Sequence, residues 1–134
     1  MMVKIIYRTG NNVKKLICHC GEVELKIKES EGALNKFLRC NCTLCKKKGY
    51  IMTFAPITDV KITTGEDKLK LYQYHTKVAE HYFCSECGIY THHKMRSRPD
   101  TFGLNVGCID DIDQFQLENV GLNDGQNHPM DQKK

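Results

Sequence analysis

Seven of the eight cysteines in this chain fall into three short groups: Cys18-His19-Cys20, Cys40-Asn41-Cys42-Thr43-Leu44-Cys45 and Cys84-Ser85-Glu86-Cys87. These are metal-ligand spacings. Side chains at i and i+2 of an extended segment point the same way, and at i and i+3 around a tight turn they can grip one tetrahedral ion. Gly88, directly after Cys87, strengthens the last group. A zinc knuckle needs a residue free to take positive φ there, so that backbone N–H groups turn back toward the sulfurs. A closed structural zinc site uses four ligands, whereas a reactive one keeps three protein ligands and an open position, so seven cysteines divide as four plus three. Cys40, Cys42 and Cys45 supply three ligands from one loop. Cys18, Cys20, Cys84 and Cys87 then close a four-thiolate site, a long-range staple whose metal contributes on the order of 10 kcal/mol to folding.

Other readings of the same residues stay open. The triplet can borrow His19, His75, His81, His92 or His93 and become a second closed site, although each histidine alone also fits a polar strand or turn position. Disulfide pairing is a further alternative. Against it, the N-terminal Met-Met-Val-Lys-Ile-Ile-Tyr-Arg has no uninterrupted apolar stretch and no small-residue cleavage site, so a reducing, cytoplasmic compartment is expected. Cys108, the odd cysteine, reads as a small buried hydrophobe.

A zinc held by three thiolates carries a formal charge of minus one, which suits thiol binding better than water activation. A substrate thiol taking the open position loses its proton and stays nucleophilic or exchangeable. The resulting doubly negative centre favours nearby cations, and Lys46-Lys47-Lys48 follow the third ligand directly. The run is either a solvated surface or a charge balance that attracts a carboxylate-bearing thiol. Tyr50 and Phe54 are expected to shape the pocket, with His92 and His93 as candidates for general acid or base.

The elements that must position these groups are mostly strands. Glu22 to Lys28 alternates polar and apolar residues without a break, the signature of a strand with one buried face. Similar β-rich runs recur at Tyr50 to Phe54, Val60 to Thr63, Leu69 to Tyr74, Ala79 to Phe83, Ile89 to His92 and Phe102 to Val106. Turn formers such as Gly32, Asn41, Gly49, Pro56, Gly65 and Gly107 leave little room for a long helix. The segment after Asn119 reads as irregular. A length of 134 residues fits one domain, and a net charge of +4, from 20 basic and 16 acidic residues, is too modest to announce a nucleic-acid binder. No apolar run approaches membrane-spanning length.

The ordered set Cys18-His19-Cys20-Gly21, Cys40-x-Cys42-x-x-Cys45, Phe83-Cys84-x-x-Cys87-Gly88, Asn105-Val106-Gly107-Cys108-Ile109-Asp110 and Asp124-Gly125-x-Asn127-His128-Pro129 resembles the glutathione-dependent formaldehyde-activating enzyme family, also called centromere-protein-V-like. The resemblance runs from about Leu16 to Pro129 and is to a short member. It implies an all-β, β-tent fold of packed antiparallel sheets over residues 1–134, with its core at about 16–129. It implies two zinc ions per chain, a structural one on Cys18, Cys20, Cys84 and Cys87 and a catalytic-type one on Cys40, Cys42 and Cys45. The implied activity is that of a carbon–sulfur lyase on a small thiol adduct such as S-hydroxymethylglutathione, formed from formaldehyde and glutathione.

Two other function classes compete. A zinc-stabilised binding module for protein or nucleic acid would close the triplet with a fourth protein ligand and spread its basic residues over one surface. A redox or metal sensor would need the triplet to oxidise and eject zinc. The division of the cysteines predicts two zinc ions per chain by elemental analysis of protein purified without chelator. The count falls to one, in a chain that still folds, when Cys40, Cys42 and Cys45 are replaced by Ser; an unfolded variant or a single zinc in the native chain would make the triplet structural or vacant.

Overall fold

A computed structural model describes residues 12–31, 33–74 and 77–127. Two sheets dominate it. In the smaller, β2 (Glu24–Lys28) lies between β1 (Val13–Ile17) and β5 (Val60–Thr64), antiparallel to both. The alternation read from the sequence is realised in β2 and the residue before it: Val23, Leu25 and Ile27 are fully buried while Lys26 and Lys28 face solvent. Burial of each such leucine or isoleucine contributes about 1.5–3 kcal/mol.

The larger sheet runs in the order β10-β3-β4-β9-β8-β7-β6. Its strands are β3 (Leu38–Cys40), β4 (Met52–Pro56), β6 (Leu69–Tyr72), β7 (Glu80–Cys84), β8 (Tyr90–Lys94), β9 (Thr101–Asn105) and β10 (Gly121–Asn123). Every named pair is antiparallel except β10 with β3. Leu16, Val23, Leu25 and Ile27 from the β1–β2 side meet Ala55, Cys84, Leu104 and Ile109 in one core. The fold is thus mostly β with packed sheets, as the β-tent expectation has it. No helix among the described residues is long and apolar enough to cross a membrane.

Several elements depart from the sequence reading. The segment after Asn119 is not wholly irregular: Gly121, Leu122 and Asn123 pair in parallel with Leu38, Arg39 and Cys40. A helix α1 (Thr43–Lys48) interrupts the strands because the sulfur of Cys42 caps it by accepting the Cys45 N–H, and Gly49, at φ 64°, ends it. His75 lies outside the described residues, as do Gly32, His128 and Pro129.

Two features of the larger sheet build the site. Strand β4 buries both faces: Ala55 enters the core shared with the smaller sheet, while Met52 and Phe54 join a second cluster with Cys45, Tyr50 and Tyr90. Between β7 and β8, Phe83 pairs with Tyr90 and Tyr82 with His92, leaving Thr91 as an extra residue. This bulge shifts the alternation by one, so Tyr90 and His93 share a face and His92 takes the other.

Gly65 sits at φ +80° between β5 and the turn into β6, and a Cβ there would overlap the carbonyl of Glu22. Gly65→Ala is therefore expected to cost about 2–4 kcal/mol through left-handed strain plus backbone overlap. Denaturant midpoints of the two proteins measure it.

Candidate metal centres and active site

The loop after β1 and the hairpin after β7 bring Cys18, Cys20, Cys84 and Cys87 together, with all four sulfurs within 4.8 Å of one another. Cys20 lies 3.7 Å from both Cys18 and Cys84. A Zn–S bond of about 2.3 Å implies a tetrahedral sulfur–sulfur edge of roughly 3.8 Å, so this set fits zinc. Two backbone N–H groups, from Val23 and Glu86, donate to the sulfurs of Cys18 and Cys84 at 3.3 Å. Burial pushes the Cys87 thiol up, but backbone donors at Cys20 and Ile89 and the neighbouring thiols outweigh it and hold it at about 6. The knuckle glycines Gly21 and Gly88 take φ +83° and +78°.

Cys40 at the end of β3, Cys42 at the cap of α1 and Cys45 within it form the second group, again within 4.8 Å. The sequence expectation of a four and a three is what the chain brings together. None of His19, His81, His92 and His93 belongs to either group. Hydrogen bonds from the side chains of Cys40 and Cys45, the largest causes, hold the Cys42 thiol far below its usual range, while Cys40 and Cys42 push Cys45 up. Three sulfurs this close depend on one another's protons, a demand that a bound cation would relieve. Further donors converge from outside the group: Asn123 Nδ2 to Cys40 at 3.4 Å and the Tyr74 hydroxyl to Cys42 at 3.8 Å. Gly125 lies so close that a Cβ would stand 2.6 Å from the Cys40 sulfur and 2.7 Å from Cys42 Cβ. Gln126 pins this segment by donating from its backbone N and its Nε2 to Asn41 Oδ1 and O, at 3.1 and 2.9 Å.

The triplet opens onto a cavity of about 800 Å³. Its walls include Met52, Phe54, Tyr74, His81, His93 and Met95, and its cations are Lys36, Arg96 and Arg98, with no carboxylate among the described lining residues. The lysine expectation is only partly met, because Lys46 and Lys47 are exposed and outside the cavity. Lys48 folds back, its ammonium 3.3 Å from the centre of the Tyr90 ring, and burial lowers it to about 8. The positive charge at the cavity comes instead from Lys36 and the Arg96-Ser97-Arg98 turn after β8, which no motif signalled. Gly125, by contrast, belongs to the Asp124-Gly125 motif and was legible there.

Phe54 lines the cavity as expected, whereas Tyr50 sits behind it, 3.7 Å from the Cys45 sulfur and donating to the Tyr90 hydroxyl at 3.1 Å. The Tyr90 hydroxyl in turn meets His93 Nδ1. His93 rests over Gly103, where any Cβ would overlap its ring, and stacks on His81 at 5.3 Å. His92 is on the opposite face, against Tyr82 and Phe102, and leaves the list of acid–base candidates. Cys108 is half-buried near the four-thiol group, and burial pushes it up to about 12, so it is an inert core thiol.

Residues 13–120 match the family model described as glutathione-dependent formaldehyde-activating enzyme. The chain belongs to that family. It is also similar to a Rhodobacter sphaeroides protein of known crystal structure, with 38% identity and a TM-score of 0.76 over 81% of this chain and 99% of that one. The family match ends before β10 and Gly125, yet both pack on the triplet, so the site of this family member is completed by residues beyond the matched span.

Two outcomes follow from this geometry. Gly125→Ala displaces the Cys40 and Cys42 side chains and is expected to speed metal transfer from the triplet to a chromophoric chelator about tenfold, leaving the four-thiol site slow. Burial lowers His81 to about 4, with Lys48 adding to it, and lowers His92 to about 4 and His93 to about 3. A histidine held neutral when folded binds its proton more readily when unfolded, so its contribution is intact above about 6.5 and is lost as pH falls toward 4. Each is expected to remove up to about 1.4 kcal/mol per pH unit in that window. Urea midpoints at pH 7 and pH 5 test this, and a flat profile would contradict it.

Proposed function

We propose that this chain makes and breaks the carbon–sulfur bond of a small thiol–aldehyde adduct such as S-hydroxymethylglutathione. In this reading residues 1–134 act as one domain in a reducing compartment, with Cys18, Cys20, Cys84 and Cys87 holding a structural zinc and Cys40, Cys42 and Cys45 a catalytic-type one. The supporting observation is that three convergent thiols open onto a roomy cavity whose charged lining residues are all cationic.

Zinc at the triplet would supply an electrophilic position at which a thiol gives up its proton and stays nucleophilic. The chain's own residues do the rest. Lys36, Arg96 and Arg98 attract and orient the carboxylates of a peptide-like thiol. Asn123, Tyr74 and Tyr50 place hydrogen-bonding groups beside Cys40, Cys42 and Cys45, tempering the negative charge of the sulfurs. Met52, Phe54 and Met95 provide an apolar wall against which the aldehyde carbon is kept from bulk water. The binding-module alternative asks for a triplet closed by a fourth protein ligand; no histidine joins the group among the described residues, and the cations line a concavity.

Carbon-13 exchange spectroscopy of formaldehyde and glutathione with the zinc-loaded protein is the test, and exchange faster than in buffer is expected. Replacing both Arg96 and Arg98 by Ala is expected to raise the apparent KM for glutathione about tenfold, since charge-assisted hydrogen bonds are worth roughly 1.5–3 kcal/mol. Zinc-loaded protein that does not accelerate exchange would sink the reading.

A further inference from the structure

We propose that His81 exchanges a proton with the hydroxyl of the thiol–aldehyde adduct held in this cavity. The inference rests on the function proposed above and assigns a catalytic role to a residue that the metal-ligand pattern does not include.

Four observations converge on it. His81 is 6% exposed, and among the described residues its Nδ1 is the one buried side-chain nitrogen or oxygen without a hydrogen-bond partner. Nδ1 is sealed beneath the cavity wall, which leaves Nε2 as the ring nitrogen able to meet a polar group bound in the cavity. His81 lines the same cavity as Cys40, Cys42 and Cys45. Its ring is held between two others, Tyr74 at 5.9 Å and His93 at 5.3 Å, so it is already oriented. The other two histidines of this region are committed elsewhere: His93 Nδ1 is engaged by the Tyr90 hydroxyl, and His92 packs against Tyr82 and Phe102 on the opposite face. His93 is a positioning residue here, braced by Tyr90 and by the space above Gly103.

The role balances without an oxidant. The sulfur of the adduct lies toward the three cysteines and its hydroxyl toward His81. In breakdown, His81 Nε2 takes the hydroxyl proton as the carbon–oxygen bond becomes a carbonyl, and the carbon–sulfur electron pair returns to sulfur. His81 then releases that proton to the departing thiolate, giving one thiol and one formaldehyde per adduct. Formation runs the same steps in reverse. Burial and the Lys48 ammonium keep the imidazole neutral at physiological pH, ready to accept.

The test uses zinc-loaded full-length protein with S-hydroxymethylglutathione, prepared from formaldehyde and glutathione. His81→Phe keeps a ring in the stack and removes both nitrogens. It is expected to retain zinc and the KM for glutathione and to lose roughly a hundredfold in kcat, in line with general acid–base contributions of about 10²–10⁴. His81→Gln, which restores a polar group near the Nε2 position, is expected to recover part of that loss. In wild-type protein labelled with nitrogen-15 at histidine, the His81 Nε2 resonance is expected to move on addition of the adduct. Wild-type kcat in His81→Phe overturns the inference while leaving the proposed function standing, and so does an unmoved Nε2 resonance if His81→Phe does not fold. A wild-type protein without exchange activity overturns both.

Discussion

Sulfur crowding is the constraint on which the rest of this structure depends. Thiol sulfurs 3.7 Å apart cannot all ionise without a cation between them, since like charges at such distances repel strongly once water is partly excluded. The four-thiol group joins Cys18 and Cys20, at the end of the smaller sheet, to Cys84 and Cys87, at the end of β7 in the larger one. A metal held there would tie the two sheets at the point where their shared core, from Leu16 to Leu104, closes. The burial of Val23, Leu25 and Ile27 and the closure of this knuckle are therefore coupled: each holds the geometry that the other needs.

The larger sheet then does two jobs with one layer of backbone. Strand β4 sends Ala55 into the shared core and Phe54 into the cavity. The extra residue Thr91 in β8 turns Tyr90 and His93 to the same side, although simple alternation would separate them. Gly103, beside His93 in the next strand, has no side chain and so makes room for the imidazole. The result is a wall of aromatic and imidazole rings standing over three thiols. It is dry enough to keep His81 and His93 neutral, and the cavity beside it is cationic enough to draw an anion.

The grouping of the cysteines and β2 were legible because local periodicity encodes them. A two-residue or three-residue spacing converges sulfurs whatever the fold does, and alternation from Val23 to Ile27 selects one buried face. The basic run after Cys45 was legible as charge but not as position. In α1 the three lysines point in different directions, so Lys46 and Lys47 go to solvent and Lys48 goes to Tyr90.

What the sequence by itself determined is therefore the family, the mostly β character and the seven sulfurs in two sets. Which residues face those sulfurs was decided only by tertiary structure. Arg96, Arg98, Lys36 and His81 reach one cavity through β-strand pairings between segments far apart in the chain, and a single bulge chose His93 over His92. Such pairings depend on register, and register is set by contacts across the sheet that no local spacing records.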